Sequence, residues 1–241
     1  MNIALISGAS RGIGLEFAKI LDTYNLDELW LVCGKNVPSF EFKTPIRIFH
    51  TDLSEKSPFK KLKNALSDKN PSIKFLVCSA GVGFNGPFES ISEENIQDTV
   101  IINCSALSLL TKIAISYMSE GARILEIASG AGFLPQPDFA VYSASKSYVI
   151  SFSRAIGREL EKNGISVTAV CPGPVDTDFF SGLENVKEYK KKHVISAEKV
   201  AFGALKASKK GKKIYSPTFS IKMVHLASKI LPTNLILKFY K

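Results

Sequence analysis

Histidine and cysteine are scarce in this chain of 241 residues, which contains three and four of them, respectively. The histidines are far apart in the sequence, so no histidine-based catalytic arrangement is indicated. The cysteines have no metal-ligand spacing and fall in apolar segments, which favours reduced core thiols in a cytoplasmic protein over a metal site. The residues concerned are His50, His193, His225, Cys33, Cys78, Cys104 and Cys171.

The chain also lacks a run of about 18 apolar residues, so no transmembrane helix is predicted. Its first residues, Met-Asn-Ile-Ala-Leu-Ile-Ser, lead directly into a strand pattern, and no signal peptide is expected. Apolar residues make up 45% of the composition, which suits one α/β domain over residues 1–241 with a sizeable core. A second domain is not expected.

Acidic residues are few near the C-terminal end. The formal net charge is +9, yet residues 187–241 alone carry +12 from 14 Lys and 2 Glu, and the preceding 186 residues carry −3. This segment has no arginine, and its lysines alternate with apolar positions, so nucleic-acid binding is not expected. An anionic membrane surface, an acidic substrate and a solvated basic face remain alternative uses of the positive charge.

Apolar strand patterns alternate with helical patterns along most of the chain. With right-handed crossovers, this alternation predicts a parallel, doubly wound α/β sheet of the Rossmann type, with ligands at the carboxyl ends of the strands. Strands are predicted at 2–7, 29–33, 46–50, 73–78, 123–128, 165–171 and 212–216. Helices are predicted at 12–24, in the lysine-rich segment ending near 68, and at 92–118, 139–163 and 196–208.

The segment Tyr142-Ser143-Ala144-Ser145-Lys146 carries the clearest chemical signal. In a helix, Tyr142 and Lys146 lie at i and i+4, so the phenol and the ammonium project from one face. A free tyrosine has a pKa of about 10 and transfers protons poorly near neutral pH unless a cation favours the phenolate. Lys146 is placed to be that cation. An amphipathic helix with a surface lysine is the alternative interpretation.

Three further segments support a functional interpretation. A strand pattern ends at Ser129, and Gly-Ala-Gly follows it. Residues 7–14, Ser-Gly-Ala-Ser-Arg-Gly-Ile-Gly, form a glycine-rich turn between a strand and a helix, where backbone N–H groups bind a pyrophosphate. Residues 171–174, Cys-Pro-Gly-Pro, close another buried strand. Over residues 1–177, these features together resemble the short-chain dehydrogenase/reductase family, which is marked by a T-G-x-x-x-G-I-G turn and a Ser, Tyr-x-x-x-Lys catalytic set.

The resemblance implies a role for each of four catalytic residues. Tyr142 would be the general acid that protonates the developing alkoxide, and Ser129 would hydrogen-bond the substrate oxygen. Lys146 would hold the cofactor ribose and lower the tyrosine pKa. Asn103 would position a water behind Lys146, and asparagine is indeed a poor residue for the middle of a helix. A buried amide that bonds only the backbone is the alternative for Asn103.

The resemblance also implies a nicotinamide cofactor, and the second strand favours NADP. Gly34 stands where relatives that use NAD carry an acidic residue, and Lys35 and Arg11 supply two cations for a 2′-phosphate. A solvated loop lysine is the alternative for Lys35. Asp52 matches an adenine-contacting acid or caps the next helix, and Thr177 matches a residue that contacts the carboxamide. The predicted cofactor set is Gly8, Ser10, Arg11, Gly12, Ile13, Gly14, Lys35, Asp52, Leu53, Ser79, Ala80, Gly81, Tyr142, Lys146, Pro172, Gly173, Val175 and Thr177.

Two departures from the family pattern are visible. Ser79-Ala80-Gly81 stands in place of the usual Asn-Asn-Ala-Gly, which removes two amides expected to brace the sheet. The chain also lacks the G-x-x-x-x-V-D-G-G-like ending used in tetramers. The resemblance therefore favours a homodimer, formed through the helices at 91–118 and 139–160.

The resemblance implies a substrate cover after residue 177, and the last segment of the chain departs from the commonest family pattern. Residues 178–210 are predicted to form a substrate lid, in which the lysines at 190–192 could attract an anion. Residues 217–241 form a basic, apolar helical segment that would pack on its own domain, roof the substrate pocket, or lie on a membrane surface or partner. Hydrophobic residues there suggest an apolar carbonyl substrate, such as an acyl chain, steroid or quinone-like ketone, although core packing explains them equally. They are Phe179, Phe180, Leu183, Tyr189, Phe219 and Met223.

These features predict an NADP-dependent enzyme that interconverts a carbonyl compound and its secondary alcohol by hydride transfer. One alternative is a non-catalytic NADP-binding sensor, which the complete catalytic set disfavours. The other is a protein that associates with a membrane or partner through its basic C-terminal segment, and this role is compatible with catalysis.

Overall fold

A computed structural model describes residues 1–181 and 194–238. Seven parallel strands form one sheet in the order β3-β2-β1-β4-β5-β6-β9, so the predicted doubly wound fold is confirmed. A separate pair of short parallel strands, β7 and β8, was not predicted from the sequence. The strands are β1 (Asn2–Ser7), β2 (Glu28–Cys33), β3 (Ile46–His50), β4 (Ser72–Cys78), β5 (Arg123–Ile127), β6 (Ser166–Val170), β7 (Val175–Asp176), β8 (Ile195–Ser196) and β9 (Ile214–Tyr215).

Helices cover both faces of the sheet and begin and end close to the predicted positions. Ser92 and Ser196 accept hydrogen bonds from the backbone of the first turns of their helices, as N-cap serines do. The α-helices are α1 (Gly12–Leu21), α2 (Lys60–Lys69), α3 (Glu93–Val100), α4 (Leu107–Ile115), α5 (Ala140–Leu160), α6 (Asp178–Ser181), α7 (Ala197–Lys209), α8 (Phe219–Ile230) and α9 (Thr233–Leu237). Short 3-10 turns span Phe88–Ser90, Gly130–Phe133 and Glu161–Asn163.

The core consists of two apolar layers, one on each face of the sheet. Along β1, Ile3 and Leu5 point into one layer, and Ala4 and Ile6 point into the other, as the two-residue period of a strand requires. Strands buried on both faces are apolar at nearly every position, which explains why their bounds could be predicted closely. None of the four cysteines forms a disulfide, and three of them are buried.

A π-helical segment, Ile101–Ala106, joins α3 to α4 in one continuous helix. The whole helix, Glu93–Ile115, is long and apolar enough to cross a membrane by length and composition alone. Its inner side chains, Leu107 and Leu110, are buried in the layer that faces the sheet. We therefore assign this helix to the core of the α/β fold.

Residues 182–193 of the predicted lid lie outside the described residues. They include Leu183, Tyr189, the lysines at 190–192 and His193. The described part of the lid comprises α6, β8 and α7.

Candidate active site

Four loops that follow strands meet at the carboxyl edge of the sheet. Gly8, Ser79, Ser129 and Pro172 follow β1, β4, β5 and β6, which are consecutive neighbours in the sheet. The backbone N–H of Gly130 donates to the carbonyl of Pro172 at 2.7 Å, which joins the last two loops. The structure thus brings together in space the segments that the sequence placed at this edge.

The glycine-rich turn leaves no room for side chains at its critical positions. Gly8 has φ +66°, and a Cβ there would lie 2.7 Å from the backbone nitrogen of Ala80. A Cβ on Gly14 would lie 2.2 Å from the carbonyl oxygen of Gly8, so α1 starts directly against the turn. No side chain caps the N-terminus of α1, whose N–H groups are therefore suited to an anion. This cradle fits a dinucleotide pyrophosphate.

Ser7 braces the loop whose family-typical asparagines are replaced. Its buried hydroxyl accepts hydrogen bonds from the backbone N–H groups of Ser79 at 3.2 Å and Ala80 at 3.3 Å. The bracing that the sequence left in doubt is supplied from β1. Ser7 was not among the predicted site residues, because a serine at the end of an apolar strand gives no distinct pattern.

Tyr142 lies in a narrow aromatic slot. Its ring stacks on Phe139 with centroids 4.3 Å apart and is tilted against Phe179 at 5.5 Å. A Cβ on Gly83 would lie 2.4 Å from the ring, so only glycine allows the ring to sit there. Burial raises the pKa of Tyr142 to about 12, against a smaller, opposing effect of the neighbouring Ser129 hydroxyl.

Lys146 reaches the end of strand β5 and also lies over the Tyr142 ring. Its Nζ donates to the carbonyl oxygen of Ile127 at 2.8 Å and lies 5.7 Å from the centroid of the Tyr142 ring. Burial lowers the pKa of Lys146 to about 8, against the opposing effects of Cys104, Cys171 and Glu126. Burial therefore leaves the pKa of Tyr142 raised rather than lowered in this structure, and the lowering of this pKa by Lys146 stays a prediction.

Asn103 lies in the π-helical segment and holds the loop after β4. Its Oδ1 accepts from the N–H of Val82 at 2.9 Å, and its Nδ2 donates to the carbonyl oxygen of Val82 at 2.8 Å. Nδ2 also donates to Ser145 Oγ at 3.0 Å, and Ser145 Oγ donates to the carbonyl oxygen of Tyr142. The amide is satisfied by these partners, so the water link to Lys146 stays a prediction. Ser145 is a further residue that spacing alone did not single out.

The residues predicted to contact the adenosine half of the cofactor differ in their surroundings. Arg11 forms an exposed ion pair with Asp178 at 3.2 Å, so it is already engaged across the site entrance. Asp52 accepts hydrogen bonds from the N–H and hydroxyl of Ser54, and α2 begins eight residues later, so the idea that Asp52 caps this helix is wrong. Lys35 lies close enough to help lower the pKa of Asp52.

The remaining predicted cofactor residues line the same edge. Thr177 lies against the glycine turn, where a Cβ on Gly12 would be 3.2 Å from its methyl group. A Cβ on Gly81 would lie 3.3 Å from Lys146 Nζ, which places the loop after β4 beside α5. Ile13 and Leu53 pack on the core, and Val175 is buried in it. Ser10, Pro172 and Gly173 lie in the loops after β1 and β6.

Helix α8 covers the loop that follows Ser129. The side chain of its Ile221 packs on two glycines of the neighbouring loops. A Cβ added to Gly130 would lie 2.8 Å from this side chain, and one added to Gly173 would lie 3.2 Å from it. His225 stacks on Phe133 with ring centroids 4.2 Å apart. Burial, with smaller effects of Lys229 and Arg154, lowers the pKa of His225. Packing on its own domain is thus one role of the C-terminal segment.

A family model for short chain dehydrogenases matches residues 2–188. The chain belongs to this family. An uncharacterized oxidoreductase of Schizosaccharomyces pombe is 31% identical over 188 residues, which cover 73% of this chain and 62% of the other. The inactive hydroxysteroid dehydrogenase-like protein 1 of Homo sapiens is 32% identical over 188 residues, covering 72% and 56%. The chain therefore spans less than two thirds of the length of these two short-chain dehydrogenase relatives.

Solved short-chain dehydrogenase structures share the whole fold. The enzyme from Sphingobium yanoikuyae in complex with NADPH superposes with a TM-score of 0.80 at 21% identity, covering 100% of this chain and 97% of the other. At this identity the likeness establishes the architecture. The chain is thus an oxidoreductase-family protein with the short-chain dehydrogenase fold, and its own chemistry must be argued from its site.

Proposed function

We propose that the protein is an NADP-dependent carbonyl reductase or alcohol dehydrogenase that interconverts a carbonyl compound and its secondary alcohol. The placement of Tyr142 beside Ser129 at the carboxyl edge of the sheet, near enough for the serine hydroxyl to affect the pKa of the phenol, carries this proposal. Two neighbouring hydroxyl groups there can both contact one substrate oxygen. Lys146 Nζ, 5.7 Å from the tyrosine ring, completes the set.

The protonation states of these residues suit the reductive direction near neutral pH. With a pKa of about 12, the Tyr142 phenol is protonated and can give its proton to a developing alkoxide. Ser129 would hold the same oxygen and orient the carbonyl. The Lys146 ammonium, with a pKa of about 8, is largely charged at pH 7 and favours negative charge developing nearby.

The cofactor would supply or accept the hydride. The glycine turn, with the N-terminus of α1, would hold its pyrophosphate, and Lys146 would hold its ribose. Gly34 presents no carboxylate to this site. Its carbonyl oxygen lies 2.9 Å from the Nδ1 of His50. Arg11 and Lys35 would contact the 2′-phosphate, and Arg11 would exchange Asp178 for it. These features support NADP over NAD.

An apolar substrate fits the aromatic surroundings of the phenol. Phe139 and Phe179 flank Tyr142, and Ile221 of α8 lies against the neighbouring glycine loop. These side chains present mainly apolar surfaces, rather than hydrogen-bond partners, to a bound carbonyl compound. We therefore propose a hydrophobic ketone or aldehyde as substrate.

A homodimer through α3–α4 and α5 remains part of the proposal. Val100, Leu109 and Tyr148 are large apolar or aromatic residues that these helices expose. The Tyr148 hydroxyl lies 2.9 Å from Ser108 Oγ, which ties the two helices together on this surface. Such an exposed apolar surface on two adjacent helices supports a helix-to-helix interface.

Titration with NADPH and with NADH, followed by the oxidation of each in the presence of aldehydes and ketones, tests the proposed function. We expect tighter binding of NADPH and turnover with apolar carbonyl compounds. Lys35→Ser should weaken NADPH binding by about tenfold and leave NADH binding unchanged, because it removes a charged contact to the 2′-phosphate. The exposed Lys43→Ser is the matched control.

The possible outcomes separate the parts of the proposal. Preference for NADH, or an unchanged NADPH affinity in Lys35→Ser, would contradict the assignment of the 2′-phosphate site. NADPH binding without turnover on any carbonyl compound would favour the non-catalytic sensor. That outcome would place the chain beside its human relative, whose name describes it as inactive.

A further inference from the structure

Helix α8 exposes an apolar stripe along its whole length. Four side chains at successive spacings of four, three and four residues lie on one side of the helix, where a spacing of 3.6 residues per turn aligns them. Their exposed fractions are 76% for Phe219, 46% for Met223, 50% for Leu226 and 68% for Ile230. Two leucines continue the apolar surface toward and into α9, Leu231 and Leu235, each 45% exposed.

The orientation of this stripe is fixed by the opposite side of α8. Ile221 packs against Gly130 and Gly173, and His225 stacks on Phe133. The helix is also capped, because the Thr218 hydroxyl accepts from the N–H of Ile221. The apolar stripe is therefore held facing outward by a helix seated on the enzyme body.

Only positive charge accompanies the stripe. Lys222 and Lys229 are exposed and seven residues apart, which places them on the same flank of α8. After Glu198 the sequence contains ten lysines, no arginine and no acidic residue. An apolar stripe flanked by lysines is the pattern of a helix that lies in a membrane interface.

We propose that α8 and α9 dock on an anionic phospholipid bilayer, with the apolar stripe among the acyl chains and the lysines at the headgroups. Charge decides between this partner and a second copy of the chain. A symmetric dimer through α8 would place Lys222 and Lys229 of one copy near the same lysines of the other, with no acidic residue in the helix to offset them. An anionic headgroup layer supplies that opposite charge.

Co-sedimentation with phosphatidylcholine vesicles, prepared with and without phosphatidylserine, tests the proposal. We expect the full chain to sediment with vesicles that contain phosphatidylserine and to be released as salt is added, because screening weakens the lysine–headgroup attraction. Failure to sediment at low salt, or equal binding to both vesicle types at all salt concentrations, would overturn it.

The double variant Phe219→Ser with Ile230→Ser removes the two most exposed ends of the stripe. We expect vesicle binding to fall by at least about tenfold, since two large apolar side chains no longer enter the bilayer. Phe202→Ser on α7, where the phenylalanine is 62% exposed, is the matched control and should bind as the wild type does. Equal loss in both proteins, or no loss in either, contradicts the proposal.

The charge contribution is tested by Lys222→Ser with Lys229→Ser. Each lysine removed should weaken binding to phosphatidylserine vesicles by about fivefold. Lys60→Ser with Lys63→Ser, two exposed lysines of α2, is the matched control.

Sedimentation velocity tests the rival partner, a second copy of the chain. The membrane assignment would be overturned if the protein did not bind vesicles and formed a dimer that Phe219→Ser with Ile230→Ser dissociated.

Discussion

Helices α5 and α8 carry similar apolar patterns but meet opposite surroundings. In α5, apolar residues recur at spacings of three and four, and Val149 and Leu160 are buried against the sheet. In α8, Met223 and Leu226 recur in the same way and point outward. The inner side of α8 instead uses Ile221 and a histidine.

The difference shows what helical periodicity can and cannot specify. It identifies a helix and the side of the helix that avoids water, but it does not identify what covers that side. For α5, the strand on each side in the sequence supplies the answer, because a crossover helix must lie on the sheet. For α8, no strand follows within the described residues, so the sheet topology does not specify what covers that side.

The largest effect is expected for Tyr142→Phe, on the buried side of α5. We expect turnover to fall by about 10²- to 10⁴-fold, the usual contribution of a general acid, while cofactor binding is kept. Steady-state kinetics with an active carbonyl compound and NADPH titration measure the two effects. Turnover close to that of the wild type would contradict the role proposed for the phenol.

Truncating one leucine on each helix compares burial directly. Leu160→Ala in α5 removes a side chain that is 9% exposed, and we expect it to lower the free energy of unfolding by about 2–5 kcal/mol. Leu226→Ala in α8 removes one that is 50% exposed, and we expect a change within about 0.5 kcal/mol. Urea denaturation of both variants provides the measurement. Equal losses would mean that the stripe of α8 is covered in solution.

Glu126 gives the sheet face under α4 and α5 a pH dependence. This buried carboxyl accepts from Thr111 Oγ1 at 2.8 Å, while its Oε2 has no hydrogen-bond partner. Burial raises the pKa of Glu126 from 4.5 to about 7. Between pH 4.5 and about 7, the folded state therefore keeps a proton on Glu126 that the unfolded state releases. The free energy of unfolding consequently falls as pH rises through this range.

Glu126→Gln should remove this loss of folding stability at high pH. We expect the variant to be more stable than the wild type by roughly 3 kcal/mol at pH 8, and the gain to vanish near pH 4, where the carboxyl is protonated in both states. Thermal or urea unfolding at the two pH values measures it. Glu159→Gln, on the exposed side of α5, is the control for the loss of one charge. A gain that is equal at both pH values would contradict the titration of Glu126.

The sheet and the site edge could be predicted from the sequence because local patterns determine them. The apolar strands and the glycine turn specify the layers. Ser129 follows a strand that ends at the ligand-binding edge, and Tyr142 and Lys146 lie at the start of the crossover helix that leaves this edge. Asparagine is a poor residue for the middle of a helix, and Asn103 lies in the π-helical segment between α3 and α4. These features depend on neighbours in the sequence or on a fixed topology.

Other features depend on distances between segments that are far apart in the chain. The hydroxyl of Ser7 reaches two N–H groups more than seventy residues away. The orientation of Lys146 toward Ile127 and the net effect of burial on Tyr142 depend on how tightly the site is packed. No spacing rule carries this information, so the effect of burial on the pKa of Tyr142 could not be predicted from the sequence.

The parallel order of the seven strands also bears on how the chain folds. No two neighbouring strands are joined by a tight turn, since each pair is connected through a crossover or a longer path. The interior strand β1 precedes the other six strands of the sheet in sequence, yet it lacks its second neighbour until residues 72–78 are available. The edge strand β9 adds to β6 only after residue 213. Because these contacts are distant in sequence, we expect slow folding that is completed only once the C-terminal part of the chain has been made.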